Sequence, residues 1–162
     1  MLINDFFNKY YSDIKTKGLT KDINVPNSMI IQNIDEEWKE WNPVESIINK
    51  YDILKIEDTY KITLPEHYKE YICSKQFMDI QINEYTVFGI NEINTIENIF
   101  KTFPENTLKY GFIPIGQIND EDYIALNCHN ENIVSFAYAD YSFKKVLFKD
   151  FNEFIEFLME KI

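Results

Sequence analysis

The stretch from Gly111 to Tyr138, GFIPIGQINDEDYIALNCHNENIVSFAY, limits the fold more than any other part of the chain. Phe112, Ile113 and Ile115 make an apolar run closed by Gly116. Tyr123 to Leu126 is a second run, and Ile133 to Tyr138 a third. Asn119, Asp120, Glu121 and Asp122 separate the first two, and Asn127, Asn130, Glu131 and Asn132 the next two. Short β-branched and aromatic runs bounded by Asn, Asp and Gly read as strands. Links this short suit antiparallel neighbours, because parallel strands need a long crossover. Lys145 to Phe148 adds a last strand, so residues 111–148 are expected to form an antiparallel meander. Pro114 has no N–H for the ladder, which makes its strand either an edge strand or a bulged one.

The rest of the chain supplies helices to cover that sheet, and the class is α+β. Leu2, Ile3, Phe6, Phe7, Tyr10, Tyr11 and Ile14 repeat at helical spacing, with Gly18 as the stop. Ser28 to Ile34 reads as extended, and Asp35 to Trp41 as a helical turn. Trp38 and Trp41 either offer an interface or pin the N-terminal arm to the body. Asn42-Pro43-Val44-Glu45 has the composition of a helix start, with Ile47, Ile48 and Tyr51 then inward. A further helical turn is expected through Ile56 to Tyr60. Leu64-Pro65 opens the next helix, with Tyr68, Tyr71 and Ile72 inward and Glu66, Lys69 and Glu70 outward. Ile80, Ile82 and Tyr85 to Ile90 read as strands. Thr95 caps a short helix that Phe103-Pro104 ends. Asp150 caps a terminal helix with Phe151, Phe154, Ile155 and Leu158 as its stripe. At 162 residues without repeats, a single domain spanning 1–162 is expected.

Catalytic chemistry finds little to work with. Gly18, Gly89, Gly111 and Gly116 are the only glycines, so neither phosphate loop with its spaced glycines can be built. His67 falls on the outer side of its helix. Cys128 and His129 adjoin, but neighbours at a strand end point opposite ways, and two ligands are too few for zinc. A calcium loop starting at Asn119 would place Ile124 where its glycine belongs. No pattern fixes a carboxylate pair at glycosidase separation. No catalytic residue, cofactor or metal is expected. All 16 basic residues are lysine and the net charge is −11. Without arginine forks such a chain is a poor reader of nucleic acid. Cys73 and Cys128 stand alone, which suits free thiols in a reducing compartment. No run approaches a membrane span, and MLINDFFNKY does not open like a secretory signal. A cytoplasmic location away from membranes is expected.

Three pieces in order carry a resemblance: LPEHYKEY, GFIPIGQINDEDYIAL and FNEFIEFL. Together they are similar to the SUKH superfamily of bacterial immunity proteins, which is related to fungal cell-wall-assembly regulators. Leu64, Pro65, Tyr68, Ile113, Pro114, Ile115, Gly116, Asp122, Ile124, Leu126, Phe151 and Phe154 fall at its pattern positions. The likeness spans roughly residues 45–160 and leaves the helical extension 1–42 unassigned. Glu121-Asp122 stands where Gly-Asp is usual, and Cys73-Ser74-Lys75-Gln76-Phe77 replaces an Asn-Gly turn. The resemblance implies a mainly antiparallel sheet with helices around it. It also implies a non-enzymatic protein that binds and neutralises a cognate toxin. The other role it implies is a regulator or scaffold on an endogenous pathway, as in cell-wall assembly.

A toxin that attacks nucleic acid must meet phosphate and is basic, and an acidic inhibitor gains association rate from that. Asp120, Glu121 and Asp122 form the densest acidic turn. Asp140 and Tyr141 form the next turn but one, which a meander brings to the same end of the sheet. The expectation is one lip with Tyr141 as its aromatic anchor; the competing expectation is two solvated turns.

Overall fold

The computed structural model describes residues 1–162. Helix α1 spans Leu2–Thr16 and buries Ile3, Phe6, Phe7, Tyr10 and Ile14. Strands β1 (Lys21–Asp22), β2 (Ile30–Asn33) and β3 (Lys39–Trp41) follow, in the antiparallel order β1-β3-β2. Asp35 to Trp41 is therefore not a helical turn. The Asp35 carboxylate accepts the N–H groups of Glu37 at 2.9 Å and Trp38 at 2.7 Å, and this reverses the chain into a hairpin. Trp41 is buried, with ring contacts of 5.2 Å to Phe77 and 5.8 Å to Tyr11, while Trp38 stays outside.

Asn42-Pro43 does not open a helix either. Val44–Glu45 is strand β4, paired with β5 at Lys75–Gln76. Helix α2 (Lys50–Tyr60) starts later, at the N-cap Asn49. The Asn49 side chain accepts from Tyr51 and Asp52, and the Asp52 carboxylate accepts the Asn49 N–H at 2.9 Å. That reciprocal cap satisfies more orphan donors than Asn42 could. The shift turns Ile47 and Tyr51 to solvent and makes Ile53 and Ile56 the inward pair. Helix α3 (Glu66–Ser74) buries Tyr68, Tyr71 and Ile72.

Strands β6 (Ile80–Ile82) and β7 (Tyr85–Val87) precede helix α4 (Ile96–Phe100), which Thr95 caps, and helix α5 (Glu105–Lys109). Then come β8 (Phe112–Ile118), β9 (Asp122–Asn127), β10 (Ile133–Ala137), β11 (Phe143–Phe148) and helix α6 (Phe151–Met159). The six strands from β6 to β11 make one antiparallel sheet in chain order. β8 lies inside it, so Pro114 is accommodated by a bulge between Pro114 and Gly116 and not by an edge. Gly116 is required there: a Cβ would stand 2.2 Å from the Thr86 carbonyl oxygen.

Both faces of the sheet are covered. Ile133 and Phe136 lie on opposite faces of β10. Phe148, opposite Ile133, meets Phe154 of α6 at 5.2 Å. On the other face Phe103, between α4 and α5, meets Phe136 at 5.6 Å and Tyr123 at 5.1 Å. α1 joins the same core, with Phe7 5.2 Å from Tyr71 and 5.0 Å from Phe77. Lys9 Nζ donates to the Met159 carbonyl at 2.7 Å, tying α1 to α6. At the β6 edge the Gln81 N–H donates to the Tyr10 hydroxyl at 3.0 Å. No helix is long and apolar enough to cross a membrane.

Candidate functional site

The β8–β9 turn is tight because two residues accept left-handed backbone. Asn119 and Asp120 have φ of 50° and 59°, and Glu121 N–H donates to the Ile118 carbonyl at 3.0 Å. Asn and Asp are the non-glycine residues that tolerate this region best, and such mirror-image turns match strand twist. In the β10–β11 turn, Ala137 N–H donates to Ser142 at 2.8 Å and Tyr141 N–H to Ala137 at 3.0 Å. The Asp140 carboxylate accepts the Ser142 hydroxyl at 2.6 Å and its N–H at 3.0 Å. Those bonds, the hydroxyl first, hold the Asp140 carboxyl below the usual range, so it stays ionised.

The two turns meet. Tyr138 N–H donates to the Glu121 carbonyl at 3.0 Å. The Tyr123 ring lies between Tyr138, at 4.9 Å and 19°, and Tyr141, at 5.7 Å and 12°. Burial, with Tyr141 and Tyr138 alongside, pushes the Tyr123 phenol up, so that phenol stays protonated. Asp120, Glu121 and Asp140 are exposed and form no ion pair. Two of the five residues nominated from the sequence have other duties. Asp122 is not a free carboxylate: its two oxygens accept Lys144 Nζ at 2.9 and 2.8 Å, on the neighbouring edge of the sheet. Tyr141 is not the exposed anchor: it is half-buried, with Phe103 at 6.0 Å and Tyr123 at 5.7 Å against it.

The exposed rings are Tyr138, 49% accessible, and Phe143, 55% accessible. The sequence held a signal for both. Phe136 and Tyr138 alternate onto one face, and Phe143 pairs with Phe136. Phe103 covers Phe136 but does not extend over the two flanking rings. The result is a lip of three free carboxylates beside two bare aromatic rings, on a frame that hydrogen bonds and stacking hold in place.

Elsewhere the chemistry is sparse. Cys128 is half-buried, and burial followed by the Glu57 charge pushes its thiol up to about 12. A thiol so held is protonated at neutral pH and a weak nucleophile. His129 is exposed beside it. His67 is half-exposed, 3.6 Å from Glu70. No three His, Cys, Asp or Glu side chains converge to hold a metal ion. An open groove of about 480 Å³ runs between α1, β1 and β6, with Tyr10, Asp13, Asp22, Asp79 and Gln81 in its wall. Burial pushes the Asp79 carboxyl up, against the Gly89 N–H that it accepts at 2.8 Å; the Asp22 charge adds to the rise.

No individual curated protein matches the chain. The SMI1 / KNR4 family (SUKH-1) matches residues 47–156, from just before α2 into α6. That stretch is more than half of the chain and contains the whole meander and both turns of the lip. With the antiparallel sheet and its covering helices, the match establishes that the chain belongs to the SMI1 / KNR4 family (SUKH-1).

Proposed function

We propose that this protein is an immunity-type binding module that captures a basic protein toxin and blocks it by direct contact. The observation that carries the reading is the lip. Asp120, Glu121 and Asp140 have no cation of their own, and Tyr138 and Phe143 stand bare beside them. Interface hot spots combine desolvated charge with rings in this way. The two turns are already fixed by the Tyr138–Glu121 hydrogen bond and the Tyr123 stack, so little ordering remains to oppose binding. A net charge of −11 steers a basic partner toward the molecule. The family is generally non-catalytic, which fits a role exerted by binding.

The test takes whatever toxin domain is found encoded directly upstream of this gene and measures its association by stopped flow. Combined Asp120→Lys, Glu121→Lys and Asp140→Lys should slow association about tenfold or more at low salt, converging with wild type as salt rises. Tyr138→Ala should act mainly on dissociation. Unchanged kinetics in both variants at low ionic strength remove the lip from the interface. Failure of wild type to protect cells from the toxin removes the immunity reading itself.

A further inference from the structure

The three-stranded sheet β1-β3-β2 lies before the family-matched residues and has two unlike faces. Thr20, Val25, Met29 and Trp41 are buried beneath it. On the outer side, Ile34 opposes Trp38: the Asn33↔Lys39 pairing leads to it, and Ile34 N–H donates to the Trp38 carbonyl at 2.9 Å. On the β1 side the pairing ends at Asp22↔Lys39, where the Asp22 carboxylate accepts the Ile23 and Asn24 N–H groups and turns the chain, leaving Ile23 exposed at that edge of the sheet. Ile34 and Trp38 thus form an exposed apolar pair, 43% and 46% accessible, with Ile23, 50% accessible, at the β1 edge. Single exposed apolar residues are ordinary; a tryptophan in register with an isoleucine on one small sheet is a patch.

Its rim is acidic and unpaired. Asp35, Glu36, Glu37 and Glu40 make no ion pair with any residue of the chain. Lys21 stands opposite Glu40 without forming an ion pair, and Lys39 Nζ is turned to the backbone carbonyls of Asp35 at 2.9 Å and Glu36 at 3.0 Å. We propose that this outer face is a second docking surface, taking a basic polypeptide segment that carries apolar side chains between its cations. Trp38 is the anchor: its ring face attracts a lysine or arginine head, and Ile23 and Ile34 take the apolar neighbours. A second copy of this acidic chain would bring like charge to the same rim. The surface extends the reading above to the same class of partner but lies outside the lip.

The test titrates the protein with a lysine–valine alternating dodecapeptide and reads acrylamide quenching of tryptophan fluorescence. Trp41 is shielded, so the accessible signal belongs to Trp38. The peptide should protect that signal saturably. A lysine–serine peptide of equal charge should bind about tenfold more weakly, and a glutamate–valine peptide should give no protection. Ile23→Ser with Ile34→Ser should weaken binding about tenfold, while the lysine-substituted lip stays within about twofold of wild type. If the double variant fails to fold by circular dichroism, Trp38→Ser read by calorimetry replaces it. Equal affinity in the sheet-face variants overturns the proposal. Loss of binding in the lip variant alone also overturns it and leaves the lip reading intact. A dimer in sedimentation that shields Trp38 without peptide overturns it in favour of a second copy.

Discussion

Asp79 is exposed at the groove between α1, β1 and β6, yet the protein around it pushes its carboxyl up, and its one N–H donor offsets only part of that. A carboxyl whose folded pKa is raised binds its proton more tightly folded than unfolded. The resulting penalty is present above the folded pKa and vanishes as pH falls through it. Asp79→Asn keeps an acceptor for Gly89 and removes the charge. Its urea midpoint should exceed that of wild type at pH 7, and the difference should shrink as pH is lowered into the ordinary carboxyl range. Equal midpoints at pH 7 would show that the carboxylate is solvated after all. Phe154 is the opposite case, fully buried against Phe148, Phe151 and Tyr85. Phe154→Ala should cost about 3–5 kcal/mol by urea denaturation; a loss under about 1 kcal/mol would contradict that packing. Phe154 was legible in the sequence because a helical stripe names its own inward side. Tyr138 against Tyr141 was not, because which ring a covering helix reaches depends on contacts far away in the chain.

Among the elements, the terminal helix, α3 and the meander follow from periodicity and turn chemistry alone. The start of α2 does not. Asn42-Pro43-Val44-Glu45 and Asn49 with Asp52 are both sound helix openings by composition. The choice between them is made by β5, which pairs Val44 and Glu45 with Gln76 and Lys75 from beyond the next two helices. The Lys75–Glu45 ion pair closes the same junction. Asn49→Ala should therefore lose about 1 kcal/mol in chemical denaturation, the usual worth of a cap. Asn42→Ala should fall well short of that; an equal loss at Asn42 would place the helix start where composition alone puts it. The β1-β3-β2 sheet was hidden for a related reason. Its strands are two to four residues long, too short for a period to show.

For the molecule as a whole, we expect residues 1–42 to fold with the remainder as one unit. One continuous core includes Phe6, Phe7, Tyr10, Trp41 and Phe154. A shortened chain beginning at Pro43 would leave Tyr71 and Phe77 without the rings that cover them. It should bind a hydrophobic dye and lose the sharp urea transition; a cooperative transition of unchanged midpoint would show the extension to be separate. The contact between α1 and α6 also bears on biosynthesis. The Lys9–Met159 bond spans 150 residues of chain. On the ribosome, α1 is complete while the helix that covers it is still unmade. The sheet between them pairs only neighbours in sequence and can form as it emerges. Phe7 and Tyr10 can meet Tyr71 and Phe77 before then, but the part of the α1 face that α6 covers stays open to water. Exposed apolar surface of that kind is what chaperones bind, and here it would close only once α6 is free to pack on α1.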